Sequence, residues 1–230
     1  MPLNLVADAV DETLRLPWPA KAASEADHRI ANNLMIIAGL IRGQAARLPP
    51  GPTLPTEQVR DLLEEMSLRI DAVGRLHALL RADHGTMVDL ATYLREIGQA
   101  AATSLSHADR MHVSFDLPPD CKITAKQGAG IGLLVTEAKT DAFKYSHPNG
   151  VPGKLTVTAR RARDSGLVIE IADDGIGLPE GFDAKNGKST GFRVMQAAAD
   201  QVRGRISFEQ TPVGLCVRLE MPAAWAGKAA

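Results

Sequence analysis

Four short segments of the sequence hold residue types at spacings that can do chemistry. The first is Asp27-His28-Arg29-Ile30-Ala31-Asn32-Asn33-Leu34. On a helix, His28 and Asn32 stand four residues apart and share a face. An exposed imidazole can offer one ring nitrogen as a nucleophile while a neighbour holds the other. Asp27 can orient that ring or take its proton, and the Asn32 amide can position a water for the reverse, hydrolytic reaction. Taken alone, the segment also reads as an ordinary polar stripe near a helix start. The second is Glu137-Ala138-Lys139-Thr140-Asp141-Ala142-Phe143-Lys144-Tyr145. Glu137, Asp141 and Lys144 share a helical face. Two carboxylates and an ammonium facing one way can hold Mg²⁺ and a polyphosphate, through oxygen ligands and a point charge. A solvated charged face with an internal salt pair has the same pattern. The third, Ile171-Ala172-Asp173-Asp174-Gly175-Ile176-Gly177-Leu178-Pro179, ends an apolar run. Its glycines let a ligand approach the backbone, and a carboxylate there can accept a hydrogen bond from an exocyclic amine. A plain Asp-Gly turn would look alike. The fourth, Lys188-Ser189-Thr190-Gly191-Phe192-Arg193-Val194-Met195, opens a helix whose free N–H groups favour phosphate, or is simply an N-cap.

These segments need elements to position them. Residues 1–20 read as a short arm ending in Pro17 and Pro19. The apolar repeat Ile30, Leu34, Ile37 and Ile41 predicts a helix over 22–47, stopped by Leu48-Pro49-Pro50-Gly51-Pro52. Thr56 then N-caps a second helix carrying Val59, Leu62, Leu63, Met66, Ile70, Val73, Leu76, Leu79 and Leu80. The pair makes an antiparallel hairpin, and one hairpin cannot bury two apolar stripes. Two copies can, as a four-helix bundle, so the patterning predicts a homodimer. Beyond Ala82-Asp83-His84-Gly85 the pattern changes. A helix through Leu90, Tyr93, Leu94, Ile97 and Ala101 is followed by strands at Met111–Leu117 and Lys122–Ala125. A helix then spans Ala129–Tyr145. Lys154–Arg161 and Leu167–Ala172 alternate as a strand hairpin. A helix over Gly191–Val202 and a strand pair, Arg205–Glu209 with Gly214–Glu220, complete the pattern. The expected fold class is α+β: an N-terminal helical hairpin, then a two-layer α/β sandwich with mostly antiparallel strands. The division expected is arm 1–20, hairpin 21–85, α/β domain 86–225 and tail 226–230.

Composition narrows the function classes. With 26 basic and 27 acidic residues the net charge is −1, which provides neither a nucleic-acid footprint nor a polybasic membrane patch. Aromatics at 4% leave no base-stacking platform. No run of 18 apolar residues exists, and Asp8, Asp11, Glu12 and Arg15 interrupt the N-terminus, so neither a membrane span nor a secretory leader is expected. Cys121 and Cys216 lack metal-site spacing and read as buried reduced thiols. The protein is expected to be cytoplasmic.

The order of the four segments carries more weight than any one of them. Over residues 22–222 the chain resembles a two-component sensor histidine kinase core of the HRxxNN type, related to the HWE kinases. Asp27–Leu34 is similar to its phosphoacceptor box. Gly74–Leu79 and Val88–Leu94 resemble its hairpin exit and connector. Glu137–Tyr145 resembles the N box, Asp173–Gly177 the DxGxG box, and Ser189–Met195 with Gly204 the last glycine box. The resemblance implies a Bergerat-type ATP-binding fold with ATP and Mg²⁺ as cofactors. It implies that His28 receives the γ-phosphoryl group and that Glu137 acts at the nucleotide; the assisting roles of Asp27 and Asn32 rest on their placement beside His28. It places Mg²⁺ at Asp141 and lines the nucleotide with Lys144, Tyr145, Asp173, Gly175, Gly177, Thr190 and Gly191. It makes Leu178–Thr190 a mobile lid. The implied partners are a second copy of the chain, a response-regulator receiver domain and an upstream sensor protein.

Some positions depart from the family pattern. Asp141 stands where the family usually has Asn; at about 5 Å and an effective dielectric of 20, its repulsion of a phosphate charge is on the order of 3 kcal/mol. Lys139 is the expected compensating cation. Ser189 replaces a glycine, Leu215 replaces a threonine near the adenine, and Arg29 replaces the usual acidic neighbour of the histidine. A histidine phosphotransferase whose ATP-like domain has degenerated is the competing reading. A serine kinase of the anti-sigma type would share the ATP-binding fold but lack the hairpin.

Overall fold

The computed structural model describes residues 38–39, 41–42, 45, 55–82, 87–104, 111–147, 149, 151–162, 166–179 and 190–222, the side chains of 99–104 and 190 excepted. The arm, most of the predicted first helix with Asp27, His28, Arg29 and Asn32, the Pro-rich break, Ser189, most of the expected lid and the tail lie outside the described residues. Residues 40–230 form one compact unit. No helix among the described residues is long and apolar enough to cross a membrane.

The first long helix, α1 (Thr56–Ala82), buries Leu68, Ala72, Val73, Leu76 and Leu80. The i, i+4 row from 68 to 80 faces α2 (Leu90–Ser104) and α3 (Ala125–Asp141). On the single chain the predicted stripe divides into two rows. Val73, Leu76 and Leu80 are core, Leu68 and Ala72 join them, and Val59, Leu63 and Ile70 are exposed. The nine apolar positions spanned more than one helical face, and periodicity merged two rows into one.

A strand the sequence reading lacked, β1 (Met87–Asp89), precedes α2 and pairs antiparallel with β3 (Lys122–Thr124), Val88 opposite Ile123. Three residues are too few for a period to show. Asp89 then caps α2, its Oδ1 accepting from Thr92 N at 2.9 Å and Thr92 Oγ1 at 2.8 Å.

Helix α3 begins four residues earlier than predicted. Thr124 Oγ1 accepts from Gln127 N at 3.3 Å, and Gln127 Oε1 accepts from Thr124 N at 2.8 Å, a capping box. Gly128, Gly130 and Gly132 hid this start, because glycine weakens the helical signal. Their reason is packing on three sides. A β-carbon at Gly128 would lie 2.5 Å from Leu76 Cδ1 of α1, and one at Gly130 would lie 2.6 Å from Val202 Cγ1 and 2.9 Å from Ala198 O. One at Gly132 would strike Tyr93 Oη. Helix α3 is thus the axis of the helical layer. It ends at Asp141, not at Tyr145, and passes into a π-turn over Ala142–Ser146.

The main sheet runs β2 (Met111–Asp116), β4 (Gly153–Arg161), β5 (Leu167–Asp173), β7 (Gly214–Met221), β6 (Arg205–Thr211). Only β2–β4 is parallel among these pairs. The alternating rows Leu155, Val157, Ala159 and Val217, Leu219, Met221 are buried, with Ile169 and Ile171 between them. The opposite face is polar; Glu170 Oε1 accepts from Arg160 and Arg218, each at 3.0 Å. Helix α4 (Thr190–Gln201) adds Phe192, Met195, Ala198 and Ala199 to the core, Phe192 stacking on Phe208 at 4.5 Å. Both cysteines are free, but Cys216 is half-buried rather than buried.

The crowding of Gly132 against Tyr93 yields a test. Tyr93, fully buried, donates to Ala72 O at 3.1 Å and so ties α2 to α1. Gly132→Ala should lower the melting temperature, by an overpacking cost of about 1–3 kcal/mol that exceeds the helix-propensity gain. Adding Tyr93→Phe should recover part of the loss, and thermal unfolding of the three variants measures both.

Candidate active site

One cavity of about 540 Å³ opens between the C-terminal end of α3, the π-turn, the end of β5 and the start of α4. Its size suits a nucleotide-sized ligand. The two ends differ in chemistry.

The apolar end is floored by Leu155, Ile171 and Val217 of the sheet and walled by Met195 and Ile176. Asp173 closes it. Its Oδ1 accepts from Gly175 N at 2.9 Å and from Leu215 N at 3.4 Å, and no hydrogen bond among the described residues engages Oδ2. Burial pushes the Asp173 carboxyl up, against those two backbone bonds. The backbone around it needs glycine at two points. Gly177 has φ +71°, and Gly214 has φ +111°, where a β-carbon would strike the Asp173 carbonyl. The adjacent Asp174 has a different task. It accepts from Lys154 N at 2.7 Å and pairs with His147 at 2.8 Å, fastening the loop to β4 and the π-turn. Ile176 N donates to Ser146 O at 2.9 Å and completes the fastening.

The charged end is built from α3, the π-turn and α1. Glu137, 3% exposed, is held by Arg69 of α1, 2% exposed. Arg69 Nε donates to Oε1 at 2.6 Å and Nη2 to Oε2 at 2.9 Å, a two-bond fork. Burial pushes the Glu137 carboxyl up, and the Arg69 bond and charge pull it back. Burial works against the Arg69 charge too, but the bond to Glu137 and the nearby carboxylates more than offset it. Arg69 Nη2 also reaches Glu65 Oε2 at 3.4 Å, and Glu65 Oε1 accepts from Lys144 Nζ at 2.7 Å. Asp141 lines the same end, with no hydrogen bond to its carboxyl among the described residues. Its pKa is pushed up to about 7, by burial first and then by Glu137 and Glu65. The start of α4 fits closely against it, since a β-carbon at Gly191 would lie 2.9 Å from Asp141 Oδ2.

The structure therefore brings Glu137, Asp141, Lys144, Tyr145, Asp173, Gly177 and Gly191 around one cavity. Gly175 acts through its bond to Asp173, and Thr190 is the first residue of α4, its side chain outside the described set. His28, Asp27 and Asn32 lie outside the described residues. One expectation is overturned. Lys139 does not compensate Asp141, because its ammonium is buried and donates to Ile97 O at 3.0 Å and Gly98 O at 2.8 Å of α2. Burial lowers its pKa to about 7, with Arg75 adding to the shift. Two residues the sequence reading missed are Glu65 and Arg69. A charge at position 69, inside the buried row, was the available signal, since such a residue requires a partner.

Two family profiles match the chain. A family profile described as "Histidine kinase" matches residues 25–105. A second, "Histidine kinase-, DNA gyrase B-, and HSP90-like ATPase", matches residues 122–224. The chain carries the two domains that these profiles describe, in that order. Its relatives include "Blue-light-activated histidine kinase 2" of Erythrobacter litoralis, 24% identical over 206 residues, which are 86% of this chain and 56% of that one. "Sensor histidine kinase PdtaS" of Mycobacterium tuberculosis is 25% identical over 175 residues, 75% of this chain and 33% of that one. The chain thus spans about half or less of these curated relatives. The solved histidine kinase domain of the Erythrobacter litoralis EL346 blue-light activated histidine kinase superposes with a TM-score of 0.67 at 20% identity, covering 88% of this chain and 93% of that one, a likeness of fold. The region matched by the second profile is the part that the described residues cover best.

The Arg69–Glu137 fork is testable by a double-mutant cycle. Arg69→Met leaves a buried carboxylate unpaired and should destabilise the protein by about 3–5 kcal/mol. Glu137→Gln should also destabilise it, and the double variant should cost less than the sum by about 1–3 kcal/mol. Additive losses in urea unfolding would remove the pair as the tie between α1 and α3.

Proposed function

We propose that this chain is a protein-histidine kinase that transfers the γ-phosphoryl group of Mg-ATP to His28. The group then passes to an aspartate of a response-regulator receiver domain, and the same stem supports receiver dephosphorylation through Asn32. Residues 21–85 serve as the phosphoacceptor hairpin, pairing with a second copy, and residues 86–225 serve as the ATP-binding domain. An upstream sensor protein supplies the input.

The observation that carries this reading is the two-ended cavity. Asp173, anchored through Oδ1 by two backbone N–H groups, keeps Oδ2 available to accept from the adenine amine. The slot between Ile171, Val217 and Met195 takes the base, and Tyr145 flanks it. Lys144 and the start of α4 receive the phosphate chain. Of the two carboxylates on α3, Asp141 suits Mg²⁺, because both Glu137 oxygens are taken by Arg69. One protein carboxylate, with waters and phosphate oxygens, suffices for that ion. When bound, Mg²⁺ supplies neutralisation of charge building on the phosphate oxygens. In the transfer, a ring nitrogen of His28 forms a bond to the γ-phosphorus while the bond to the β–γ bridging oxygen breaks, and ADP leaves. Asp27 takes the proton lost from the ring. The charged end gives a specific reason to retain the phosphotransferase alternative: Lys144 and Glu137 are both engaged by α1, and Asp141 adds charge.

Incubation with γ-labelled ATP should give an acid-labile label that His28→Gln abolishes. Label arriving only from a phosphorylated receiver domain would select the phosphotransferase reading. Label surviving in the His28 variant would remove both.

Asp141 gives a pH signature. It is neutral below about pH 7 and charged above it, so ionisation adds repulsion beside the triphosphate as pH rises. In the absence of Mg²⁺, affinity for ATP should fall severalfold between pH 6 and 8. Asp141→Asn should flatten that fall and tighten Mg-ATP binding at pH 8 by about tenfold. Calorimetry at the two pH values decides it; equal or weaker binding by the variant would remove the charge argument.

A further inference from the structure

Among the described residues lining the cavity, Lys144 is the one cation. Arg69 stands behind it, committed to Glu137 by two short bonds. Whether the charged end offers positive charge to a ligand therefore depends on what Lys144 is doing. It donates to Glu65 at 2.7 Å, across 79 residues of sequence. Glu65 itself lines the cavity.

From this we infer that Glu65, on the hairpin helix α1, sets the cavity's selectivity for phosphate number by competing with the ligand's phosphates for Lys144. The inference rests on the nucleotide reading of the cavity and adds a specificity-determining residue to it. With Lys144 held by Glu65, the charged end carries three carboxylates, Glu65, Glu137 and Asp141, against two cations, Arg69 and Lys144. A nucleoside without phosphates meets only the apolar end and Asp173, and is indifferent to this balance. A triphosphate must draw Lys144 from Glu65.

The exchange is physically available for two reasons. Both partners are partly open to water, at 24% for Lys144 and 22% for Glu65, so the pair is a modest one. A phosphate oxygen beside the ammonium forms a charge-assisted bond of at least equal strength. Glu65 also has a second partner in place. Arg69, one helical turn away, already reaches its other oxygen at 3.4 Å. A carboxylate released by Lys144 therefore stays paired, and no buried charge is orphaned. The bond and charge of Glu65 hold the Lys144 ammonium above its ordinary value despite burial.

The test uses the full chain, with Mg²⁺, and titrates ATP, ADP and adenosine into the wild type and Glu65→Gln by calorimetry. Removing the competing charge should tighten ATP about five- to tenfold and ADP by less, with adenosine unchanged. In the double variant Glu65→Gln/Lys144→Gln the gain for ATP should vanish, because nothing remains to be released. A general change in folding or cavity shape would move all three ligands together, and that outcome overturns the inference. So does wild-type ATP binding that Glu65→Gln leaves unaltered, which spares the nucleotide reading. Failure of the wild type and both variants to bind any of the three removes the nucleotide reading and this inference with it.

Discussion

The Arg69–Glu137 fork is the constraint around which the rest of the site is arranged. Two opposite charges sit at 2% and 3% exposure, joined at 2.6 and 2.9 Å. Taking each ion out of water costs several kcal/mol, and attraction repays that only when the geometry is good. A fork with two parallel bonds is such a geometry. The consequence is positional more than energetic. The pair fixes the rotation of α1 against α3, because a helix turned by one residue swings a side chain through about 100° and would strand both ions. Once that angle is set, Leu76 lies over Gly128, and Glu65 falls one turn from Arg69 within reach of Lys144.

The two ends of the cavity follow different building rules. The apolar end is made mostly by backbone and sheet register. Leu155 opposite Asp173, and Ile171 opposite Val217, put the floor and the anchoring carboxylate in place together. The charged end is the reverse. Its groups already satisfy one another, Glu137 with Arg69 and Lys144 with Glu65, and only Asp141 stands without such a partner among the described residues. Burial beside two carboxylates is why that acid is pushed up to about 7. A cation or a proton would each relieve it, so on the proposed nucleotide reading metal, proton and phosphate binding are linked at this one residue.

The readability of the sequence divides along the same line. Strand β4 was legible because one face is buried and the other wet, which writes a period of two into its residues, and β5 because it is a short apolar run. The carboxylate of Asp173 was legible because an apolar run stops at it and glycines follow. By contrast, α3 is buried on nearly every side and carries three glycines, so it shows neither an amphipathic period nor a strong propensity. Its start had to be read from the Thr124–Gln127 box. Periodicity joined two rows of α1, since on the single chain Val59, Leu63 and Ile70 are exposed while Leu68, Ala72 and Leu76 are core. Lys139 misled for a related reason. It sits two residues from Asp141 in sequence, yet two residues on a helix point about 160° apart, so it reaches α2 instead.

The placement of Glu65 and Arg69 on α1 has a thermodynamic corollary. Both side chains are four residues apart on one helix, so a shift of that helix alters the partners of Glu137 and Lys144 together. Any ligand that takes Lys144 from Glu65 thereby changes the free energy of α1 in its present position. By reciprocity, any force that displaces α1 changes the affinity of the cavity for that ligand by the same factor. The size of that coupling is bounded by the charges involved. The Lys144 pair is partly open to water and carries a small share of it, whereas the Arg69 fork, closed to water, carries most. Helix α1 is thus gripped firmly at one point and lightly at another, one turn apart. The lighter grip is the one that a phosphate chain can release without unfolding the helix from the domain.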